Sequence, residues 1–591
     1  MVRPFAGRGA VRFPGVSLEM SFTRRIALAS AALLMVAQPV FAATPAKPAA
    51  AAQKAGKKAA PASDFAPSPE AIKAHMTFLA DDLMEGRETG TRGYDIAANY
   101  VAAQYALLGV KPAGDKTATG VSYQQHVPLI AFRGAGEGSF GLTGADGQTA
   151  ALKYGEDYLP NPQAQSADLT VAAPLVFVGY GLVNPATGRD DYAGLDVKGK
   201  IVVMLNGAPS SLQTEERAHF SNPNTKRQEA AKRGAVGVIT MSGPSAEKRR
   251  PFAAGAGMMR GWRVIWRDAN DVGAIRAPGA PSLLSISQAG AAKLFAGAPT
   301  PLADVLAESE KPEGAIKGFA LATKASINVK TEIEKRESSN VVGLIEGSDP
   351  TLKAQTIILS AHLDHIGMRE NAKPGEDKIN NGALDNASGI ATLLEVARGF
   401  ENSKARPKRS IILLAVTGEE KGLVGSDYFA NNPTVKKTDI AADVNLDMPV
   451  LLYPFTDVIA FGADRSTIGE AVKHAAGRVG IALSGDPMPE EGLFTRSDHY
   501  RFVEQGIPSV FLMTGFQNGG EAAFKGFLKG NYHHPGDDLN QPIDYQAAAK
   551  FALVNYEIAR ELANTPARPV WKKGDFFGGT FAPAGHPSSA K

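Results

Sequence analysis

Apolar positions change their spacing twice along the chain. In residues 71–84, AIKAHMTFLADDLM places Ile72, Met76, Leu79 and Leu83 at helical intervals. YDIAANYVAAQYALLGV continues as a second amphipathic helix that stops at Gly109. From about residue 140 the pattern turns to short β-rich runs, LVFVGYGL, KIVVML, VGVITM and SLLSIS. One helical segment, RQEAAKRG, lies among them, and glycine and proline punctuate the rest. From about residue 330, continuous apolar strands alternate with helices: NVVGLIEG, TIILSAHLD, SIILLAVTG, DIAADVNLDM, DVIAFGA and IPSVFLMTG are the strands. GIATLLEVARGF, GSDYFANN and TIGEAVKHAAGRVG are the helices between them, and YQAAAKFALVNYEIARELAN closes the series. Unbroken apolar strands with short helical crossovers predict an α/β fold, a three-layer sandwich around a mostly parallel sheet.

A chain of 591 residues is too long for one core, since single cores stop growing at about 250–300 residues. The change of pattern predicts one α/β domain in two pieces, residues 67–139 and 329–568, with a β-rich domain inserted at 140–328. Residues 569–591 read as a flexible tail. Residues 43–66, almost all Ala, Pro and Lys, read as a flexible linker. Ahead of it, Arg24-Arg25, the apolar run IALASAALLMVA and the small residues up to Ala42 have the form of an export signal over residues 1–42. Met20 stands just before that signal, so residues 1–19 read as an over-long start. The apolar run is shorter than the roughly 20 residues of a membrane-spanning helix, so no stable insertion is expected. The predicted location is periplasmic or extracellular.

Composition narrows the chemistry. The chain is 44% hydrophobic and 21% charged with a formal net charge of +3, which gives no reason to expect nucleic acid. It has no cysteine, which excludes disulfides, thiolate zinc sites and cysteine nucleophiles.

Acids and imidazoles gather where the α/β strands end. TIILSAHLDH ends in His362 and Asp364, SIILLAVTGEE in Glu419 and Glu420, and ADVNLDM in Asp447. GALDNASG puts Asp385 in a turn before a helix, and NYHHPGDD adds His533. Each fragment alone has a bland explanation, such as a surface pair, a solvated face or a helix cap. Together they line the carboxyl edge of one sheet, where ligand sites form in open α/β folds. Like charges in a cleft repel unless cations neutralise them, so the joint pattern points to metal.

The motifs Ala361-His362-Leu363-Asp364-His365, Gly382-Ala383-Leu384-Asp385-Asn386-Ala387-Ser388-Gly389, Thr417-Gly418-Glu419-Glu420, Asn445-Leu446-Asp447-Met448 and Tyr532-His533 resemble those of two-zinc exopeptidases, the family of bacterial leucyl aminopeptidases and glutamate carboxypeptidases. The resemblance extends to Arg496-Ser497-Asp498-His499 and to the opening helices with Gly86-Arg87 and Gly90. The inserted region, with Val178-Gly179-Tyr180-Gly181 and Lys198-Gly199-Lys200, looks like a protease-associated domain.

The resemblance implies two Zn2+ ions per chain, with His362, Glu420, Asp447 and His533 as terminal ligands and Asp385 bridging. It leaves open which of Glu420 and Asp447 serves which ion. It implies that Glu419 is the general base acting on a water between the ions, that Asp364 accepts from the distal nitrogen of His362, and that Tyr532 can donate to the oxyanion. His534 follows the last ligand where relatives commonly carry Thr, and so competes with His533. His365 and His499 are extra imidazoles, read as structural or supporting. The implied activity is removal of N-terminal residues from peptide substrates.

Three alternatives accompany it. A carboxypeptidase or dipeptidase of the same family needs arginine for a carboxylate, and Arg496 is the candidate. The related deacylases carry a lid domain between the Glu pair and the last His, for which there is no room here. A receptor-like scaffold would have lost ligands, and all are retained. Oligomeric state is not readable from the sequence.

Overall fold

A computed structural model describes residues 63–144, 146–255 and 261–583. The signal segment and most of the linker lie outside them. The linker's last residues are docked: Phe65 is buried against Tyr556, whose hydroxyl donates to Asp64 at 3.1 Å.

The predicted sheet forms. Strand Thr356–His362 lies between Ser410–Val416 and Ile440–Leu446, parallel to both. Ser509–Thr514 extends it in parallel beside Ile440–Leu446, and Asp457–Phe461 follows antiparallel. On the opposite edge Val341–Ile345 pairs antiparallel with Ser410–Val416. The three central strands are buried along their whole length, which is why their sequences run apolar without alternation. Alternate residues face opposite layers. Ile357, Leu359, Ile411 and Leu413 pack under helices Pro69–Leu79, Arg92–Leu108, Ser388–Asn402, Ile468–Val479 and Tyr545–Asn564. Ile358, Ile412 and Leu414 pack with Phe429 and Phe502 on the other face. Three layers result.

Residues 140–328 contain more helix and more parallel pairing than the expected β-rich unit with few helices. Asp168–Phe177, Ile201–Leu205, Gly237–Met241 and Ser282–Ile286 pair in parallel in that order. Parallel neighbours need crossovers of a dozen or more residues, and helices Pro223–Lys232, Gln288–Leu294 and Leu302–Ser309 accompany them. These helices are short, of 10, 7 and 8 residues, so each shows little periodicity in the sequence. A 27-residue strand, Phe319–Ile345, pairs with Asp168–Phe177 at its start and with Ser410–Val416 at its end.

The expected flexible tail is a correction. Trp571 and Phe577 are buried, the Trp571 Nε1–H donates to the Gly506 carbonyl at 2.8 Å, and Phe576–Phe581 is helical. Two aromatic anchors outweigh the glycine-rich composition around them. Among the described residues no helix is long and apolar enough to cross a membrane.

Candidate metal centre

Neighbouring strands deliver neighbouring donors. In the order Ser410–Val416, Thr356–His362, Ile440–Leu446, the carboxyl ends carry Glu420, His362 and Asp447 side by side. Asp385 enters from the turn before helix Ser388–Asn402 and His533 from the loop after helix Gly520–Gly530. The Asp385–Asn386 peptide bond is cis. His533 has φ of 58°, a left-handed conformation that non-glycine residues rarely adopt away from functional or tightly constrained sites.

The five donors form two groups that share Asp385. His362 Nε2 lies 3.2 Å from Asp385 Oδ1 and 3.0 Å from Asp447 Oδ1. His533 Nε2 lies 3.3 Å from Asp385 Oδ2 and 3.1 Å from Glu420 Oε2. The pairing left open by the sequence is therefore Asp447 with His362 and Glu420 with His533. Tetrahedral zinc with bonds of about 2.0–2.1 Å separates its donors by about 3.3–3.4 Å, and both groups come close to that spacing with the nitrogen and oxygen donors zinc accepts. The residues fit the ion.

His365 competes for the second group. Its Nδ1 is 2.8 Å from Glu420 Oε1 and 3.9 Å from Asp385 Oδ2. His533 reaches both carboxylates at nearly equal distance, whereas His365 bonds to the other oxygen of Glu420, and His365, Asp385 and Glu420 also lie close enough together to hold an ion. His534 is exposed. His499 is buried against Phe494 and Phe511, and burial pushes its imidazole down to about 3, so it packs as a neutral ring.

The carboxylate of Asp364 does not serve the expected purpose. It accepts the backbone N–H groups of Glu419 at 3.1 Å and Glu420 at 3.3 Å, and the Thr89 hydroxyl at 3.1 Å. The distal nitrogen of His362 faces the Asp364 backbone carbonyl instead, at 3.1 Å, which fixes the same tautomer by another acceptor. The side chain points away because the turn 417–422 folds over it. Glu419 and Glu420 part within that turn, beyond the end of the strand.

Sequence reasoning missed a matching carboxylate. Asp537, buried, accepts the N–H groups of Leu384 at 2.9 Å and Asp385 at 3.0 Å. Its only sequence signal is an acid four positions after His533 in an otherwise exposed-looking loop. Arg87 is fully buried and donates to the carbonyls of Leu79, Leu363, Asn381 (2.6 Å) and Gly382 (3.0 Å), tying both ligand-bearing segments to the opening helices. The neighbouring turn needs glycine: a Cβ on Gly86 would meet the Asn380 carbonyl at 2.6 Å at a φ of 71°. Ser497 donates to Asp447 Oδ2 at 2.6 Å.

Charge is unevenly held. Burial opposes ionisation of Asp385, but bonds from His362 and His533 keep it well below the usual carboxylate range. Burial and Asp385 push Glu420 up, and His365 and His533 more than compensate, bringing it to about 2. Glu419 goes the other way, raised well above its ordinary value by burial and then by Glu420 and Asp447, against the pull of His362. It belongs to neither group and lines a pocket of about 90 Å³ with Asp385, Asp447 and Tyr532. The other walls are largely apolar, including Met448, Leu493, Met513 and Phe524. Tyr532 stacks on His533 at 3.8 Å, and burial with the nearby carboxylates holds its hydroxyl protonated. Arg496 also lines the pocket, paired with Glu491 at 3.5 Å.

Residues 340–559 match the model described as peptidase family M28. Over that stretch the chain is similar to peptidase family M28, and the matched segment contains all five donors and Glu419. A protein of Aspergillus oryzae named probable leucine aminopeptidase 2 is 27% identical over 302 residues, 44% of this chain and 56% of its own length. One of Pyricularia oryzae named probable zinc metalloprotease is 27% identical over 289 residues, 43% of this chain and 54% of its own. The chain thus spans about half the length of the curated relatives it matches. The solved aminopeptidase from Aneurinibacillus sp. strain AM-1 aligns over 85% of this chain and 95% of its own at 20% identity, with a TM-score of 0.47.

Proposed function

We propose that the chain is an exported two-zinc aminopeptidase that prefers apolar N-terminal residues. What carries this reading is the sharing of Asp385 between two donor groups, with a partner-poor Glu419 beside them in an apolar pocket. Zinc bound there would polarise the peptide carbonyl and lower the pKa of a water held at the site. Glu419, whose proton affinity is already raised by its surroundings, takes the proton of the attacking water and returns it to the leaving amine. The protonated Tyr532 hydroxyl donates to the developing oxyanion. The apolar pocket receives the first side chain, and the acidic groups of Glu419 and Asp447 beside it suit a free ammonium. Arg496, the candidate for a substrate carboxylate, is already engaged by Glu491, which favours the amino-terminal reading over the carboxy-terminal one.

Export rests on the signal pattern of residues 24–42, and the reading of residues 140–328 as an inserted domain on its own hydrophobic cluster around Leu175, Val203, Ile239 and Leu284. The deciding assay compares leucine anilide with its N-acetyl form, before and after chelation and zinc restoration. Cleavage of the free-amine substrate alone, lost on chelation and regained with zinc, supports the proposal. Cleavage of only the N-blocked substrate rejects it.

A further inference from the structure

One wall of the apolar pocket lies outside the sheet. Met488, Glu491, Leu493, Arg496 and Ser497 come from the stretch between strand Ala482–Ser484 and helix His499–Val503. Its regular structure is two short 3-10 turns, Pro489–Glu491 and Leu493–Thr495. With no strand ladder to hold it, this wall takes its position from what packs behind it. Glu490, Glu491 and Arg496 are exposed, whereas Gly492 and Phe494 are buried and pin the stretch from the other side.

The backing comes from the region 140–328 and from the C-terminal segment. Helix Thr214–Ser221 sets Ala218 against Gly492. A Cβ on Gly492 would meet the Ala218 Cβ at 2.8 Å, with the Ala218 Cα next at 4.0 Å. Arg217 Nη2 donates to the Glu490 carbonyl at 3.4 Å. The helix is itself anchored. Glu215 pairs with Arg465, whose guanidinium also donates to Asp575 at 3.0 Å and to Gln213 Oε1 at 3.1 Å. His219 Nδ1 shares a hydrogen bond of 2.8 Å with the Tyr500 hydroxyl. Arg465 lies over the rings of Phe494 at 5.6 Å and Phe577 at 4.8 Å. The exposed stretch is therefore the softer side of the Ala218–Gly492 contact, and crowding there moves the pocket wall before it moves the helix.

We propose that the contact between Ala218 and Gly492 sets the size of the apolar pocket, so that a residue outside 340–559 determines which first side chain is accepted. The inference rests on the aminopeptidase reading above. Glu491 and Leu493 line the pocket on either side of Gly492, which meets the helix, so a larger group at the contact drives both inward. Close-packed groups pass on such a displacement because no spare volume absorbs it. A leucine side chain then loses room that an alanine side chain never used.

The test compares leucine anilide with alanine anilide on zinc-loaded, full-length variants. Ala218→Leu and Gly492→Ala each crowd the contact. Both are expected to lower the leucine-to-alanine ratio of kcat/KM by about tenfold, the low end of what room for one methylene is worth. Combining Gly492→Ala with Ala218→Gly removes the atom at 2.8 Å and leaves the Cα at 4.0 Å. In that double variant the ratio is expected to return to within about twofold of the unaltered enzyme, since the two substitutions share one contact. The left-handed conformation of residue 492 is strained by alanine in both proteins, so the recovery reports the contact alone. The ratio is read within each protein, so a loss of overall activity cancels. Lys232→Ala, on helix Pro223–Lys232 of the same region, is expected to leave it unchanged. A leucine preference that every variant keeps overturns the proposal and leaves the aminopeptidase reading intact. A lowered ratio that the double variant fails to recover overturns it as well, as does equal cleavage of both substrates by the unaltered enzyme. If that enzyme cleaves neither anilide, the aminopeptidase reading fails. The contact is then judged by amide hydrogen exchange, which needs no substrate. The amides of Glu491, Gly492, Thr495 and Arg496, bonded within the stretch, are expected to exchange faster in Gly492→Ala and to recover in the double variant. Unchanged exchange overturns the proposal on that route too.

Discussion

Asp537 is expected to matter to zinc as much as a ligand's neighbour can without touching the ion. Its carboxylate holds the amides of Leu384 and Asp385 at 2.9 and 3.0 Å, and Gln541 Nε2 donates to it at 2.7 Å. Asp537→Asn keeps the shape, removes the charge and turns one acceptor into a donor, so one of the two amides loses its partner. A hydrogen bond to a charged acceptor contributes about 1.5–3 kcal/mol, a neutral one about 1, and a buried amide left unpaired costs about 1–3. The turn that presents Asp385 therefore loses roughly 2–4 kcal/mol. If about 2 kcal/mol of that falls on the positioning of Asp385, zinc binding weakens roughly 30-fold, at about 1.4 kcal/mol per decade. That lies within the 10–100-fold range for supporting partners of metal ligands. Competition against a chromogenic chelator measures it, with Asp538→Asn as the control, since the Asp538 carboxylate bonds within its own loop to Asn540. Unchanged zinc affinity in Asp537→Asn, with the control equal to it, refutes the clamp.

Glu419→Gln is expected to retain zinc and lose turnover by about a hundred- to ten-thousand-fold, and undiminished activity sinks the general-base role. Leucine anilide is expected to exceed alanine anilide by about 50-fold in kcat/KM, from three buried carbons at about 0.8 kcal/mol each; equal rates argue against the apolar pocket. Zinc uptake at pH 7.5 is expected to release protons, seen as an uptake enthalpy that varies with the buffer's ionisation enthalpy. Burial lowers His533, but Asp385 and Glu420 win and raise it to about 10, so the metal-free protein holds it protonated and ligation must strip it. The same sign makes this pairing support the metal-free fold fully below the ordinary histidine range and lose that support as pH rises toward 10. The thermal stability of the metal-free form is therefore expected to fall between pH 7 and 10, and a flat profile contradicts the assignment.

What could be read from the sequence follows the range of the interactions involved. Strand Thr356–His362 and helix Tyr545–Asn564 are legible because burial on all sides, or along one stripe, dictates every residue. The gathering of His362, Asp385, Glu420 and Asp447 is legible because several acids at one sheet edge have no packing reason to be there. Three things escaped. The partition of Glu420 and Asp447 depends on strand order, which no local pattern encodes. The Asp364 and Asp537 clamps bond to backbone amides, whose identity leaves no trace in side-chain spacing. The docking of Trp571 and Phe577 is a long-range contact hidden in a glycine-rich stretch.

The two clamps explain how loops can reach the precision of strand ends. His362 and Asp447 sit at or just past rigid strands, but Glu420 and Asp385 lie on turns that could move independently of the sheet. Asp364 follows His362 by two residues and grips the amides of Glu419 and Glu420; Asp537 follows His533 by four and grips those of Leu384 and Asp385. Each clamp thus joins the segment of one donor to the segment of another, and Arg87 joins Leu363 to Asn381 and Gly382 behind them. These bonds link the segments of Glu420, His362, Asp385 and His533 in series before any cation arrives. Buried carboxylates are costly, and these are retained because amides rather than water solvate them. Displacing one turn then disturbs both donor groups, since Asp385 belongs to each.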